Sequence, residues 1–212
     1  MIGATTVKIC GLTRVQDAEA AADIGADYLG FIFHEKSPRN LSFEDYRRIA
    51  KKLPDTRKVA VVVEPDALTV ARLAELEFDF LQVHFRTESK IHRTIAGMAP
   101  WGPGRLWFAP KMAPGTPFDE DWLKWSAAML VDSYDPVKFG GTGRTGDWSH
   151  FRQLREAHAG KTWILSGGLT PDNVGTALAA TGANFIDVNS GVEASPGLKD
   201  HAKLKALAKA IR

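Results

Sequence analysis

Eight short apolar runs, each followed by an amphipathic stretch, repeat along the whole chain, and this alternation restricts the fold more than any other feature. The runs are Thr6 to Cys10, Tyr28 to Phe33, Val59 to Val63, Phe80 to Val83, Leu106 to Ala109, Ala128 to Asp132, Thr162 to Leu165 and Phe185 to Val188. Rich in Val, Ile, Leu and Phe, with little polar alternation, they read as parallel strands covered on both faces. The stretches between them space apolar residues by three and four, which predicts helices over Val15 to Ile24, Phe43 to Leu53, Ala67 to Leu76, Glu88 to Ala96, Glu120 to Trp125, Ser149 to Ala157, Asp172 to Ala180 and Lys199 to Ile211. Eight such units in 212 residues leave roughly 26 residues each, so the chain predicts an α/β fold, a single-domain (β/α)8 TIM barrel over residues 1–212. An open doubly wound sheet is the alternative. "GADYLGF" at 25–31 echoes "GANFIDV" at 182–188, each joining a helix end to a strand.

Two helix starts carry signals of their own. Thr170-Pro171 places a hydroxyl ahead of a first-turn proline, and Ser42 with Asp45 resembles a capping box. Prolines and glycines crowd both sides of "RLWFA" in residues 99–122, so the fifth strand and helix have the weakest signals. The tryptophans from Trp101 to Trp125 suit either an aromatic pocket or a subunit contact.

Charge and cysteine content narrow the function class. With a net charge of +2 and no basic block, nucleic acid is not favoured as a partner. No stretch approaches the ~20 apolar residues of a membrane span, and a cytoplasmic location is expected. One cysteine, Cys10, excludes an internal disulfide. The histidines at 34, 84, 92, 150, 158 and 201 do not form a metal-binding set at strand ends, so no metal and no cofactor are expected.

The residues able to do chemistry collect at one end of the predicted strands. Cys10 ends the first, Arg39 lies in the loop after the second, the fourth runs into His84, and Asp132 ends the sixth. The seventh runs into Ser166-Gly167-Gly168 and the eighth into Asn189-Ser190-Gly191. In a (β/α)8 barrel these positions share the rim where active sites are built, whereas "IGAD", "ELEFD" and "AHAGK" on the other side read as plain connectors. Taken singly, each residue also suits a structural role: a buried filler for the cysteine, a turn residue for the aspartate. Loops seven and eight offer small residues whose backbone N–H groups can turn toward a phosphate. Residues 141–146, "GTGRTG", spell a dinucleotide-type GxGxxG, but nine residues beyond the strand, where a glycine-rich lid over substrate fits better.

"KICGLT", "GFIFHEKSPR", "LQVH", "LVDSY…GGTGRTGDW", "ILSGGLTPDNV" and "IDVNSGVE", in this order from Val7 to Lys199, resemble the phosphoribosylanthranilate isomerases of tryptophan biosynthesis. The resemblance is faint between about Phe85 and Trp125. It implies a cofactor-free barrel, monomer or homodimer, that converts N-(5-phosphoribosyl)anthranilate, a phosphosugar, by Amadori rearrangement. Carried over by motif, Cys10 is the general base and Asp132 the general acid; Arg39 pairs with the anthranilate carboxylate. His84 and Gly141 contact substrate, and Gly167, Gly168, Asn189, Ser190 and Gly191 hold the phosphate. A carboxylic acid with a raised pKa can protonate the departing ring oxygen. A thiol lowered from about 8.5 toward ~7 by nearby positive charge can then remove the C2′ proton. Lys8, two residues before Cys10, is expected on the same side of the strand.

The chain departs from the family pattern in two places. Phe85 stands where a glycine usually follows the strand-four histidine, removing backbone freedom beside His84, and Asn189 replaces the first of a usual serine pair. Histidine-pathway isomerases with an aspartate in place of Cys10, indole-glycerol-phosphate synthases and metal-dependent ribulose-phosphate epimerases are the neighbouring readings. A non-catalytic phosphosugar-binding barrel is a further one. The pairing of Cys10 with Asp132 disfavours all four, although acceptance of a second, histidine-pathway substrate stays open.

Overall fold

A computed structural model describes residues 1–90, 94–95, 100–133 and 147–212. Eight parallel strands, β1 (Thr6–Ile9), β2 (Tyr28–Phe33), β3 (Arg57–Val63), β4 (Phe80–Arg86), β5 (Leu106–Lys111), β6 (Ala128–Val131), β7 (Thr162–Leu165) and β8 (Phe185–Val188), close into a barrel in chain order. β1 joins β8 from Thr6↔Phe185 to Ile9↔Val188, which rules out the open sheet. β7 and β8 meet at the pair Leu165↔Ile186. Seven α-helices are present among the described residues: Val15–Asp23, Phe43–Ala50, Ala67–Ala74, Asp121–Lys124, Trp148–Ala157, Val174–Thr181 and His201–Ile211.

Alternation along the strands divides the buried side chains into two shells. Val7, Ile9, Leu29, Phe31, Leu81 and Val83 pack outward against the helices. Val59, Val61, Trp107, Ala109, Leu130, Ile164 and Phe185 fill the barrel interior. At the strand beginnings, Tyr28, Phe80, Trp107 and Phe185 form a plug of touching rings, with centroids 4.8 Å apart for Phe80 and Trp107 and 4.9 Å for Tyr28 and Trp107. Each of these aromatics removes enough apolar surface from water to contribute about 2–3 kcal/mol. The plug fills the interior at the N-terminal end, so polar groups face the C-terminal rim. One layer above it, Lys8 on β1 and Asp187 on β8 form a buried ion pair at 2.9 Å.

Several elements differ from the expectations above. β3 begins at Arg57, and β4 continues to Arg86 because Phe85↔Pro110 and Arg86↔Lys111 prolong its ladder with β5. Residues 88–90 of the expected fourth helix are not helical, and most of the rest lies outside the described residues. The Thr170-Pro171 signal does not open a helix. The Thr170 carbonyl takes the N–H groups of both Asn173 and Val174, which makes Pro171 to Asn173 a turn and delays the helix to Val174. Lys199 is not helical either. A short hairpin, β9 (Glu193–Ser195) with β10 (Leu198–Lys199), precedes the last helix, and Asp200 caps that helix through the N–H groups of Ala202 and Lys203. The Ser42 cap is present: its hydroxyl accepts from the Asp45 N–H at 3.0 Å and donates to the Asp45 carboxylate at 2.7 Å.

The tryptophans of the proline-rich segment are built into walls. Trp101 is buried, donating its indole N–H to the Val70 carbonyl at 3.1 Å, and Trp122 packs edge-on against Phe85 and Phe118. Trp107 belongs to the plug.

Candidate active site

The ladder of β1 ends at Ile9, but Cys10 still donates its N–H to Val188 at 2.9 Å and therefore keeps the strand's inward alternation. Its thiol is buried within the interior cluster, not in the wall between strands and helices. Gly11 then turns with φ +71°, a left-handed conformation that favours glycine, and the rim begins. Gly30 on the adjacent strand is required for space: a Cβ there would lie 2.9 Å from Cys10 Sγ and 2.9 Å from Lys8 Cε. Thiol and lysine stem thus press on one bare backbone, which places the Lys8 ammonium beside the sulfur.

Burial pushes the Cys10 thiol up, and the adjacent Lys8 charge opposes that shift without overcoming it. This corrects the expectation of a thiol lowered toward neutrality: an apolar surround costs the thiolate more than one lysine returns, because that lysine is already paired with Asp187. Lys8 itself is raised; burial lowers it, but Asp187 and Cys10 together outweigh the burial.

Asp132 follows β6 and accepts the Ser133 N–H at 2.8 Å. Burial, with Asp187 adding, raises its carboxyl to about 6, against the Ser133 hydrogen bonds and Lys8. Asp132 and Cys10 therefore feel the same Lys8–Asp187 pair from the rim above it. On β4, Gln82 Nε2 lies 2.8 Å from His84 Nε2. Burial, followed by Lys8 and His34, holds the His84 imidazole down at about 3. His84 is therefore neutral at physiological pH. Phe85 does not disturb it, because residue 85 sits in extended strand and sends its ring outward against Phe108 and Trp122.

Loops seven and eight form the cradle. Gly167 (φ +92°) and Gly168 (φ +63°) take left-handed conformations, and a Cβ on Gly167 would strike Ser133 N at 2.5 Å and approach Asp132 Oδ1 to 3.0 Å. Among the described residues no backbone carbonyl takes the N–H of either glycine. Asn173 pins the loop, accepting from Thr170 N and donating to the Gly168 carbonyl. Gly191, in the 3-10 turn Ser190–Val192, packs directly beneath the Leu169 carbonyl, where any Cβ would clash. Asn189 precedes that turn, and its Oδ1 accepts from Lys199 Nζ at 2.9 Å.

Arg39 is buried and bound bidentately to Glu193, with Nε to Oε1 at 2.8 Å and Nη2 to Oε2 at 2.6 Å. Two hydrogen bonds expected to go to a substrate carboxylate are therefore made within the protein. Gly141 and the stretch 141–146 lie outside the described residues. Cys10, His84, Asp132, the two glycine loops and Arg39 thus all occupy the rim. Sequence reasoning assigned no role to Gly30, Gln82, Asp187, Glu193 or Lys199. A charged residue inside otherwise apolar strands, as in "TVKIC" and "FIDV", was the available signal for the Lys8–Asp187 pair.

The family described as N-(5'phosphoribosyl)anthranilate (PRA) isomerase matches residues 7–210. A curated relative from Neisseria gonorrhoeae, N-(5'-phosphoribosyl)anthranilate isomerase, is 39% identical over 94% of this chain and 92% of its own. One from Pseudomonas putida is 37% identical over 97% and 96%. Among solved structures, phosphoribosyl anthranilate isomerase from Thermus thermophilus superposes with a TM-score of 0.81 at 30% identity, covering 98% of both chains. A phosphoribosyl anthranilate isomerase in complex with reduced 1-(o-carboxyphenylamino)-1-deoxyribulose 5-phosphate has a TM-score of 0.75 at 31% identity, also over 98% of both chains.

Proposed function

Because this chain belongs to the N-(5'-phosphoribosyl)anthranilate isomerase family, we propose that Asp132 and Cys10 carry the two proton transfers of the isomerisation for which the family is named. The protein is an isomerase of tryptophan biosynthesis acting on a small phosphosugar. Asp132 protonates the furanose oxygen as the C1′–O bond breaks and a Schiff base forms. Cys10 withdraws the proton on C2′, and the resulting enolamine tautomerises to the ketone. C1′ and C2′ exchange oxidation level within one molecule, so the rearrangement balances without an external oxidant or reductant.

One observation carries this reading: the raised carboxyl of Asp132 and the buried thiol of Cys10 stand over the same Lys8–Asp187 pair on the catalytic rim. In the ligand-free protein the acid is largely ionised above about pH 6 while the thiol keeps its proton. Substrate brings phosphate and carboxylate charge, which favours protonated Asp132, while the Lys8 ammonium favours thiolate. Gly167, Gly168, Asn189, Ser190 and Gly191 hold the phosphate, Arg39 the anthranilate carboxylate, and neutral His84 contacts the substrate. A cytoplasmic enzyme, monomeric or homodimeric, completes the proposal; among the described residues no helix is long and apolar enough to cross a membrane.

A complex with the reduced product analogue tests the assignment. Cys10 Sγ and the Asp132 carboxylate are expected on opposite sides of the sugar chain, and an analogue lying beyond reach of the sulfur overturns the base assignment. Gly30→Ala tests the spacing. Its methyl pushes the thiol aside, and because displacements near 1 Å cost catalysis heavily, kcat is expected to fall by about 10²-fold. Steady-state kinetics on a variant with an unchanged circular-dichroism spectrum measures this.

A further inference from the structure

Arg39 is held by a cluster that contains more charge than an arginine needs to stay in place. A guanidinium has five N–H donors in one plane. Glu193 takes the edge formed by Nε and Nη2. The other edge, Nη1 with the second N–H of Nη2, has no acceptor among the described residues. Glu193 is fixed in turn: its Oε1 also accepts from Lys199 Nζ at 3.0 Å and from Gly197 N at 3.2 Å. Lys199 is fully buried and reaches on to the carbonyl and Oδ1 of Asn189, at 3.1 Å and 2.9 Å. Arg39 and Glu193 alone would be neutral, and Glu193 would repel a second carboxylate. Lys199 restores a net charge of one.

We propose that Glu193 and Lys199 are positioning residues that set the enzyme's preference for a substrate with a ring carboxylate. Glu193 occupies one edge of Arg39 so that the opposite edge faces the anthranilate carboxylate, and Lys199 cancels the glutamate's repulsion. Lys199 also fixes the Asn189 amide with its oxygen turned to the ammonium, which leaves Nδ2 as a donor for the phosphate. The chain Arg39–Glu193–Lys199–Asn189 thereby couples the two anionic ends of the substrate. This rests on the assignment of Arg39 to the carboxylate made above.

The test uses the full-length enzyme and two competitive inhibitors: reduced 1-(o-carboxyphenylamino)-1-deoxyribulose 5-phosphate and the same compound without its ring carboxylate. A charge-assisted bidentate contact makes the carboxylated inhibitor bind wild type about 10- to 100-fold more tightly. Glu193→Gln is expected to cut that ratio by about tenfold, with affinity for the decarboxylated compound changed less than about threefold. Lys199→Met is expected to cut the ratio and to weaken both inhibitors together, because the phosphate loop loses its brace. Glu193→Asp keeps the charge but withdraws the carboxylate by one methylene; an intermediate ratio is expected, and this variant decides the matter should Glu193→Gln not fold. A wild-type ratio in whichever glutamate variant folds overturns the clamp. Arg39→Met separates the two levels: if it also keeps the ratio, the Arg39 assignment falls and the clamp with it. If Arg39→Met loses the ratio and the glutamate variants keep it, the clamp alone falls.

Discussion

Asp132→Asn lowers kcat by at least about 10²-fold, the loss typical of a general acid, and stabilises the folded protein above pH 6. Asparagine keeps the shape and the acceptor for the Ser133 N–H but has no proton to give. The stability effect follows from the carboxyl's titration at about 6 in the folded chain, against about 3.9 when unfolded. A folded-state value above the unfolded one means that stability is fully present below about pH 4 and is lost as pH rises to 6. Partial solvent access reduces the full linkage to about 1–2 kcal/mol at pH 7, the gain expected of the variant in urea denaturation. Kinetics are expected to report the same ionisation. With Asp132 as acid and Cys10 as base, as proposed, catalysis needs the protonated carboxyl together with thiolate, and because the thiol titrates above the carboxyl, wild-type kcat/KM is expected to rise to about pH 6 and then stay flat up to the thiol's pKa. Residual activity of Asp132→Asn, needing thiolate alone, instead climbs through that plateau. A variant retaining wild-type kcat would remove Asp132 from the mechanism.

Lys8→Met has the second large effect, on both turnover and folding. Without the ammonium beside it, the Cys10 thiolate loses its strongest support, and its pKa moves further up. Lys8 also holds the Asp132 carboxyl down, as the smallest of the influences on it, so the kcat/KM plateau falls by the factor by which the thiol's shift exceeds that of the carboxyl, and the alkaline limb moves to higher pH. The pH dependence of iodoacetamide alkylation reports the thiol directly; Cys10→Ala, which removes the base altogether, supplies the floor. Asp187 is meanwhile left as a buried carboxylate whose Oδ1 already has no hydrogen-bond partner among the described residues, so stability is expected to drop by about 3–5 kcal/mol. Adding Asp187→Asn is expected to restore most of that stability and little of the activity. An unaltered alkylation profile in Lys8→Met would show that the lysine supports only the fold.

The barrel was legible because each strand is a short apolar run with clear punctuation. β2, β7 and β8 begin and end where the runs do, between turn residues and glycines. β4 exceeds its apolar run because a ladder continues through His84, Phe85 and Arg86, where the polar His84 and Arg86 on either side of Phe85 break the apolar run. The hairpin Glu193–Ser195 with Leu198–Lys199 escaped because elements of two or three residues have no period to detect. The site was legible by position: Cys10, Asp132 and the paired glycines all follow strand ends. Its internal pairing was not. Lys8 and Asp187 lie 179 residues apart and Arg39 and Glu193 154 apart, joined only by closure of the barrel and the return of the hairpin. Phe85 looked disruptive in sequence, yet an outward-facing position on an extended strand asks for bulk, not for backbone freedom.

The junction of β7 with β8 has a wider consequence. These strands meet at Leu165↔Ile186, and above that point the wall continues as two loops, with Gly191 wedged under the Leu169 carbonyl. An anion shared by those loops, as proposed for the substrate phosphate, would work as a rivet across the sparsely paired β7–β8 junction, so that anchoring the substrate and tightening the scaffold would be one event. Through Gly167, whose α-carbon abuts Ser133 and Asp132, the same loop reaches the proposed acid, so the phosphate cradle and the proton donor share one piece of backbone packing.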